Sequence, residues 1–137
     1  MKRLFILLAL LTSSLFTFAQ TNRNKVNLSD KELVNFLWGF AQAHPDGFTI
    51  GIDTFDQPRE GIVVSYAATQ NSFDKKSLPA VIKHAREHEG FVGGWYNPEN
   101  KKYYFDSNRI FPEDSLAAAV KFARENGQHT VYICSKD

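Results

Sequence analysis

Two segments of the chain, residues 77–87 and 115–125, repeat one helical pattern at a constant offset of 38 residues. They are identical at seven of their eleven positions. A pattern typical of a β-strand precedes each helix and another follows it. The chain therefore reads as two strand–helix–strand units, over residues 62–96 and 103–134. This internal pseudo-repeat restricts the fold more than any other feature of the sequence.

The order of elements in the two units, β-α-β-β-α-β, is the split βαβ pattern of the ferredoxin-like fold. Right-handed crossovers would place both helices on one face of an antiparallel sheet. A further helix and a further strand precede the first unit. We therefore expect a single α+β domain over residues 29–137, with a ferredoxin-like core and an added N-terminal helix and strand.

The added N-terminal helix has clear start and stop signals. Ser29 and, three residues later, Glu32 form a capping box, and a helix is predicted from there to about Ala43. Residues 44–47, with the sequence His-Pro-Asp-Gly, cannot continue a helix and end it.

Two stretches of alternating apolar residues follow this helix, over residues 48–52 and 62–66. Alternation with period 2 is typical of a half-buried β-strand. A loop over residues 53–60, which contains Pro58, connects the two stretches, so a β-hairpin is predicted there.

The first nineteen residues have the features of an export signal. Two basic residues are followed by an apolar run over residues 4–11, and Ala19 offers the small residue of a cleavage site. The run is shorter than the roughly 20 apolar residues that a membrane span needs. We expect residues 1–19 to be a signal peptide, so that the mature protein is secreted or periplasmic. Residues 20–28 are polar and patternless, and a disordered leader is predicted there.

The charge of the chain argues against two classes of partner. The 16 Lys and Arg residues stand against 15 Asp and Glu, and loss of Lys2 and Arg3 with the signal would leave 14 basic residues against 15 acidic ones. A chain so close to neutral lacks the basic surface that nucleic-acid binding usually needs. It also offers no polybasic segment for anionic membranes. We therefore expect neither nucleic acid nor, after cleavage, a membrane as a partner.

Cys134 is the single cysteine, so the chain cannot form an internal disulfide. A small apolar residue on a terminal strand is the simplest interpretation of this cysteine. The Gly-x-Ser-x-Gly motif of serine hydrolases is absent. These patterns predict no cofactor and no catalytic residue.

One motif, His84-x-x-Glu87-His88, matches the signature of a class of zinc peptidases. On a helix the two histidines would share a face and ligate one Zn²⁺, while Glu87 would activate a metal-bound water. Such enzymes need a third protein ligand, and only 49 residues follow His88. The corresponding positions of the second unit hold Phe122 and Asn126. We therefore assign no metal site, and zinc binding by His84 and His88 is the alternative.

Aromatic side chains crowd two neighbouring stretches that are predicted as strands. Trp95 and Tyr96 lie in the first stretch, Tyr103 and Tyr104 lie in the second, and a turn over residues 97–100 joins them. Because side chains alternate across a strand, half of these rings must face the helices and the other half must face away. An uncovered pair would be an aromatic patch suited to hold a partner, so all four are candidate binding residues. The sequence leaves open which pair is exposed.

Five short motifs are spread over most of the mature chain. They are Gly-Phe-Thr at residues 47–49, Ser-Tyr-Ala-Ala-Thr-Gln at 65–70, Gly-Gly-Trp-Tyr at 93–96, Tyr-Tyr-Phe-Asp-Ser at 103–107 and Phe-Ala-Arg-Glu-Asn-Gly-Gln at 122–128. Together they resemble a domain found in long polyvalent proteins of Bacteroidetes phages and conjugative elements. That family has no established activity, so the resemblance implies no catalytic residue.

These observations favour a binding function over an enzymatic one. We expect a secreted module that recognises another protein through a sheet face or through the aromatic residues, as an inhibitor or an accessory subunit. The alternative is a small secreted hydrolase, in its zinc-dependent form through His84, Glu87 and His88. Small βαββαβ units also pair through their sheet edges, so the sequence allows a homodimer.

Overall fold

The computed structural model of the protein describes residues 25–135, which form three α-helices and one β-sheet. The predicted signal peptide, residues 1–19, and residues 20–24 of the predicted leader lie outside this range. The helices are α1 (Asp30–Ala43), α2 (Asp74–Arg86) and α3 (Leu116–Glu125), and a short 3₁₀ helix covers Ala67–Thr69. The strands are β1 (Phe48–Gly51), β2 (Gly61–Ser65), β3 (Ser72–Phe73), β4 (Phe91–Asn97), β5 (Lys102–Phe111) and β6 (Tyr132–Cys134).

The sheet is curled and antiparallel throughout, with the strand order β1-β4-β5-β2-β6 and with β3 beside β5. Strand β5 is long enough to serve several neighbours. Its first part, residues 102–108, pairs with the whole of β4, and its last part, residues 108–111, pairs with β2. The short strand β3 pairs with Tyr104 and Phe105 of β5, on the same edge of β5 that pairs with β2 farther along the strand. The predicted α+β class is confirmed.

The predicted hairpin between residues 48–52 and 62–66 is wrong. Strand β1 pairs with β4, and β2 pairs with β5 and β6, so two other strands separate β1 from β2 in the sheet. The alternating pattern correctly indicates that both stretches are strands. It cannot indicate the partner, because a strand with one apolar face fits beside any neighbour that shares that face.

The predicted start of the first helix is confirmed in detail. Glu32 N–H donates to Ser29 Oγ at 3.4 Å, and Ser29 N–H donates to a Glu32 carboxylate oxygen at 2.9 Å. The helix ends at Ala43, as predicted, and His44 follows as its C-cap. Helix α2 begins three residues before the repeated segment, at Asp74. Strand β5 extends well beyond Tyr103 and Tyr104 of the predicted strand, to Phe111.

All three helices lie on one face of the sheet. Helices α1 and α2 pack on β1, β4 and the first half of β5 around Leu37, Leu78 and Phe105, while α3 packs on β2 and the end of β5 around Ala119 and Phe111. Phe105 and Phe111 are six residues apart on one strand, so both point to the same side. Within residues 25–135 the opposite face of the sheet carries no helix.

Gly94 of β4 allows two aromatic rings to meet on the helix-covered face. A Cβ atom at Gly94 would lie 2.8 Å from Cδ1 of Phe105 and 2.9 Å from Cε1 of Phe48. Both rings belong to the core, and Phe105 is 2% exposed, so neither can move without displacing its neighbours.

We therefore expect Gly94→Ala to lower the free energy of unfolding by about 1–3 kcal/mol through overpacking. Gly39→Ala is the matched control, because Gly39 lies inside α1 with no atom within 4 Å of an added Cβ. That control should raise the free energy of unfolding by about 0.5–1 kcal/mol through helix propensity. Urea denaturation of both variants measures these changes, and a Gly94→Ala protein as stable as wild type would contradict the packing argument.

Candidate functional site

The face of the sheet without helices is concave and forms an open cavity of about 930 Å³. Its floor is formed by side chains of β1, β2, β4 and β5. Residues 57–59, from the loop between β1 and β2, line one part of the wall, and residues around and within β6, from Gln128 to Ser135, line another.

Alternation along β5 decides which side chains reach this cavity. Tyr103, Phe105 and Ser107 point towards the helices, so Asp106 and Asn108 point to the opposite face and line the cavity. The same rule places Ser65 of β2, Thr49 of β1 and Trp95 of β4 on the cavity side. Polar residues in the middle of a long strand thus form the floor of a concave surface.

Four of these side chains, Thr49, Ser65, Asp106 and Asn108, form a hydrogen-bonded group that we call the floor cluster. Ser65 Oγ donates to Asp106 Oδ2 at 2.6 Å, and Asn108 Nδ2 donates to Asp106 Oδ1 at 2.7 Å. Asn108 Nδ2 also donates to Ser65 Oγ at 3.1 Å. Thr49 Oγ1 donates to Asn108 Oδ1 at 3.5 Å, so the cluster joins three strands of the sheet.

Thr49 can reach Asn108 because the intervening strand has no side chain between them. In the register of the sheet, Gly93 of β4 pairs with Thr49 on one side and with Asp106 on the other. A Cβ atom at Gly93 would lie 2.7 Å from Asp106 Oδ1 and would collide with the Asn108 amide. The absence of a side chain at Gly93 therefore permits the close approach of Thr49 and Asn108 across β4.

Asp106 is the electrostatic centre of the cluster. Burial raises the pKa of its carboxyl above the usual Asp value, and the hydrogen bonds from Ser65 and Asn108 oppose this rise only in part. Asp106 is half-buried and lines the cavity. No Lys, Arg or His side chain within residues 25–135 forms an ion pair with Asp106.

The four aromatic residues predicted as binding residues divide between the two faces. The rings of Trp95 and Tyr104 stack on the cavity side with their centroids 4.9 Å apart, and Trp95 is 43% exposed. Tyr96 and Tyr103 lie on the helix-covered side, where the Tyr103 ring packs 5.0 Å from that of Trp38. The structure therefore places Trp95 and Tyr104 on the face of the sheet that holds the cavity, where Trp95 lines the cavity and Tyr104 supports its ring. Tyr96 and Tyr103 lie on the opposite face, beside α1.

The two histidines of the zinc motif lie at the end of α2, outside the cavity. Their rings stack with centroids 3.8 Å apart, and the ring of Tyr66 lies beside both. Nδ1 of His88 lies 2.7 Å from the backbone oxygen of His84, and the buried Nδ1 of His84 has no hydrogen-bond partner. Burial lowers the pKa of His84, and the nearby His88 lowers it further. Residues 25–135 contain no group of three or more His, Cys, Asp or Glu side chains placed to hold a metal ion.

Sequence reasoning gave none of the floor cluster residues a role in a site. One signal for them was present: Asp106 and Asn108 are two polar residues at i and i+2 inside a stretch rich in aromatic and apolar residues. Such a pair predicts that one face of the strand is polar, but it does not say what lies across from it.

No protein-family model, curated protein or solved structure matches this chain. Because a fold class alone does not indicate a function, the geometry of the site is the basis for a functional proposal.

Within the part of the chain that the structure describes, no helix has the length and apolar character needed to cross a bilayer.

Asp106 makes stability depend on pH in a direction opposite to most carboxylates. Because its pKa is raised in the folded state, the folded protein holds this proton more tightly than the unfolded chain does. This stabilisation is fully present at pH values below the pKa of Asp106 in the unfolded chain, which is about 4. It is lost as the pH rises through the pKa of Asp106 in the folded protein.

We expect Asp106→Asn to melt at a higher temperature than wild type at neutral pH, because the amide avoids the buried charge. The difference should shrink as the pH falls below about 4. Asp114→Asn, at an exposed position, is the matched control and should follow wild type. The melting temperature of each protein is measured by thermal unfolding across this pH range. Parallel curves of melting temperature against pH for all three proteins would contradict this expectation.

Proposed function

We propose that the protein is a secreted or periplasmic, non-enzymatic binding module that recognises another protein, as an inhibitor or an accessory subunit. The recognition surface is the concave sheet face together with the Trp95–Tyr104 pair. The observation that carries this proposal is the position of the exposed Trp95 ring, stacked on the half-buried Tyr104, beside a cavity of about 930 Å³.

The aromatic pair supports protein recognition. Trp and Tyr dominate the binding energy of protein interfaces because they bury large areas with few rotatable bonds. Trp95 is held by Tyr104 on one side, so its ring is positioned before a partner arrives. A cavity of this size accommodates several side chains of a partner segment.

The chemistry of the floor cluster favours binding over catalysis. The hydroxyl of Ser65 is the best candidate for a nucleophile in the cluster, and it donates its hydrogen to the Asp106 carboxyl. A serine nucleophile normally needs a neighbouring base such as an imidazole, with a third group to orient that base. The cavity-lining part of residues 25–135 includes no histidine and no lysine.

The ferredoxin-like assignment belongs to this proposal as well. The order of strands in the sheet, β4-β5-β2-β6, supports it. So does the order along the chain, in which α2 comes between β2 and β4 and α3 comes between β5 and β6. Strand β1 would then be an addition at the β4 edge. The resemblance to the domain of polyvalent proteins stays a prediction and contributes no residue to the site.

Export rests on the sequence features of residues 1–19 and is tested directly. Full-length chain expressed in a bacterial host should appear outside the cytoplasm and should begin at Gln20, as measured by fractionation and intact mass. Replacing both Lys2 and Arg3 by Glu should retain it in the cytoplasm with its N-terminus intact, because the positive segment is lost. An exported product that keeps residues 1–19 would contradict the cleavage prediction.

Partner capture tests the recognition surface. Immobilised protein should retain a partner from the secreted proteins of its native source, and the double variant Trp95→Ala, Tyr104→Ala should bind that partner at least about 30-fold more weakly. Leu116→Ala is the matched control, because Leu116 is 50% exposed on α3 and lies outside the cavity. Unchanged capture by the double variant would rule out this surface.

A further inference from the structure

We propose that the cavity receives a lysine or arginine side chain of the partner protein, with its cationic group on the floor cluster and its aliphatic stem along Trp95. This inference rests on the proposed function, since it names the chemistry by which the same surface selects a partner.

The donor groups of the floor cluster are all used inside the cluster. A hydroxyl has one donor hydrogen and a primary amide has two. Thr49 donates to Asn108, Ser65 donates to Asp106, and the Asn108 amide donates to both Asp106 and Ser65. Only acceptor sites remain, because an ionised carboxylate offers about four lone-pair positions and two are occupied. A ligand that reaches this floor must therefore bring donors.

Charge selects among ligands that bring donors. Asp106 carries a partly buried carboxyl and forms no ion pair with a basic side chain of residues 25–135. An ammonium group with three donors, or a guanidinium with five, satisfies both the open acceptor sites and the charge. The ionised Asp106 carboxyl would repel an anion at the floor cluster. A neutral sugar would bring acceptors that find no free donor on the floor.

The distance between Trp95 and the floor cluster fits a long basic side chain. Trp95 pairs with Tyr104, and Asp106 is two residues farther along β5 on the same face. Trp95 and Asp106 are therefore diagonal neighbours across β4 and β5. Such neighbours lie about 7–8 Å apart, a span comparable to an extended lysine or arginine side chain. Basic side chains bury their methylene groups along apolar surfaces while the charged end reaches a polar partner.

Binding of a cation at Asp106 would be linked to pH. Burial raises the pKa of Asp106, and a cation beside the carboxyl would favour its ionised form. The affinity for a basic side chain should therefore rise as the pH rises through that pKa. The other titratable groups that line the cavity are Asp46, Arg59, Tyr132 and Cys134, and burial raises the pKa of the Cys134 thiol, which keeps it neutral.

The test compares three blocked tripeptides, acetyl-Gly-X-Gly-amide, in which X is lysine, arginine or the uncharged norleucine. Binding to the mature protein is followed by NMR titration. The lysine and arginine peptides should bind at least about tenfold more tightly than the norleucine peptide at neutral pH. Asp106→Asn should weaken the two basic peptides about 30-fold and leave the norleucine peptide unchanged. Asp114→Asn, at an exposed position outside the cavity, should change each affinity by less than about twofold, because it removes a carboxylate that does not line the cavity.

A second measurement uses wild-type protein alone and does not depend on the folding of a variant. The side-chain carboxyl carbon of Asp106, observed by ¹³C NMR, should titrate with a lower pKa in the presence of the lysine peptide. Equal affinities for the lysine and norleucine peptides, or an unchanged titration of Asp106, would overturn the inference. Tighter binding of free spermidine than of the lysine peptide would also overturn it, in favour of a free amine as ligand.

The inference and the proposed function can fail separately. If partner capture depends on Trp95 and Tyr104 while the basic peptides show no preference, the binding module stands and the cation is wrong. If the basic peptides bind through Asp106 while capture does not depend on Trp95 and Tyr104, the cavity binds a cation but the proposed recognition surface is wrong.

Discussion

Both the apolar core and the cavity floor depend on the alternation of side chains along β5. Tyr103, Phe105 and Phe111 of this strand pack under the helices, whereas Asp106 and Asn108 form part of the cavity floor. The same strand holds β4, β2 and β3 in place through its two edges. A shift of its register by one residue would move a carboxyl group into the apolar core and aromatic rings into the cavity. Core and site therefore share one register.

Two adjacent glycines of β4 serve these two faces separately. Gly94 leaves room for Phe48 and Phe105 in the core, and Gly93 leaves room for the floor cluster on the opposite face. Burial disfavours the ionised form of Asp106, so the contribution of Asp106 to stability falls as the pH rises. Groups that reduce stability in this way are concentrated at functional sites, and the pattern here agrees with a surface kept for binding.

Local signals in the sequence predicted the elements well, and long-range contacts were beyond their reach. The capping box at Ser29 predicts α1 because all of its hydrogen bonds lie within one turn. The partner of β1 was wrongly predicted, since alternation specifies a face and leaves the neighbour open. Trp95 could be named as a candidate from its side chain alone. The floor cluster could not, because Thr49 and Asp106 come together only once the strand order is known.

The connectivity of the floor cluster has a consequence for how the protein folds. Strands β4 and β5 form a hairpin with a short turn, whereas the hydrogen bonds from Thr49 to Asn108 and from Ser65 to Asp106 span 59 and 41 residues of chain. Closing such long loops costs conformational entropy before the contacts form, so we expect the cluster to form late in folding. Interactions absent from the transition state slow unfolding and leave the folding rate unchanged. A partner held on this floor would therefore act on the lifetime of the native state, by delaying its opening.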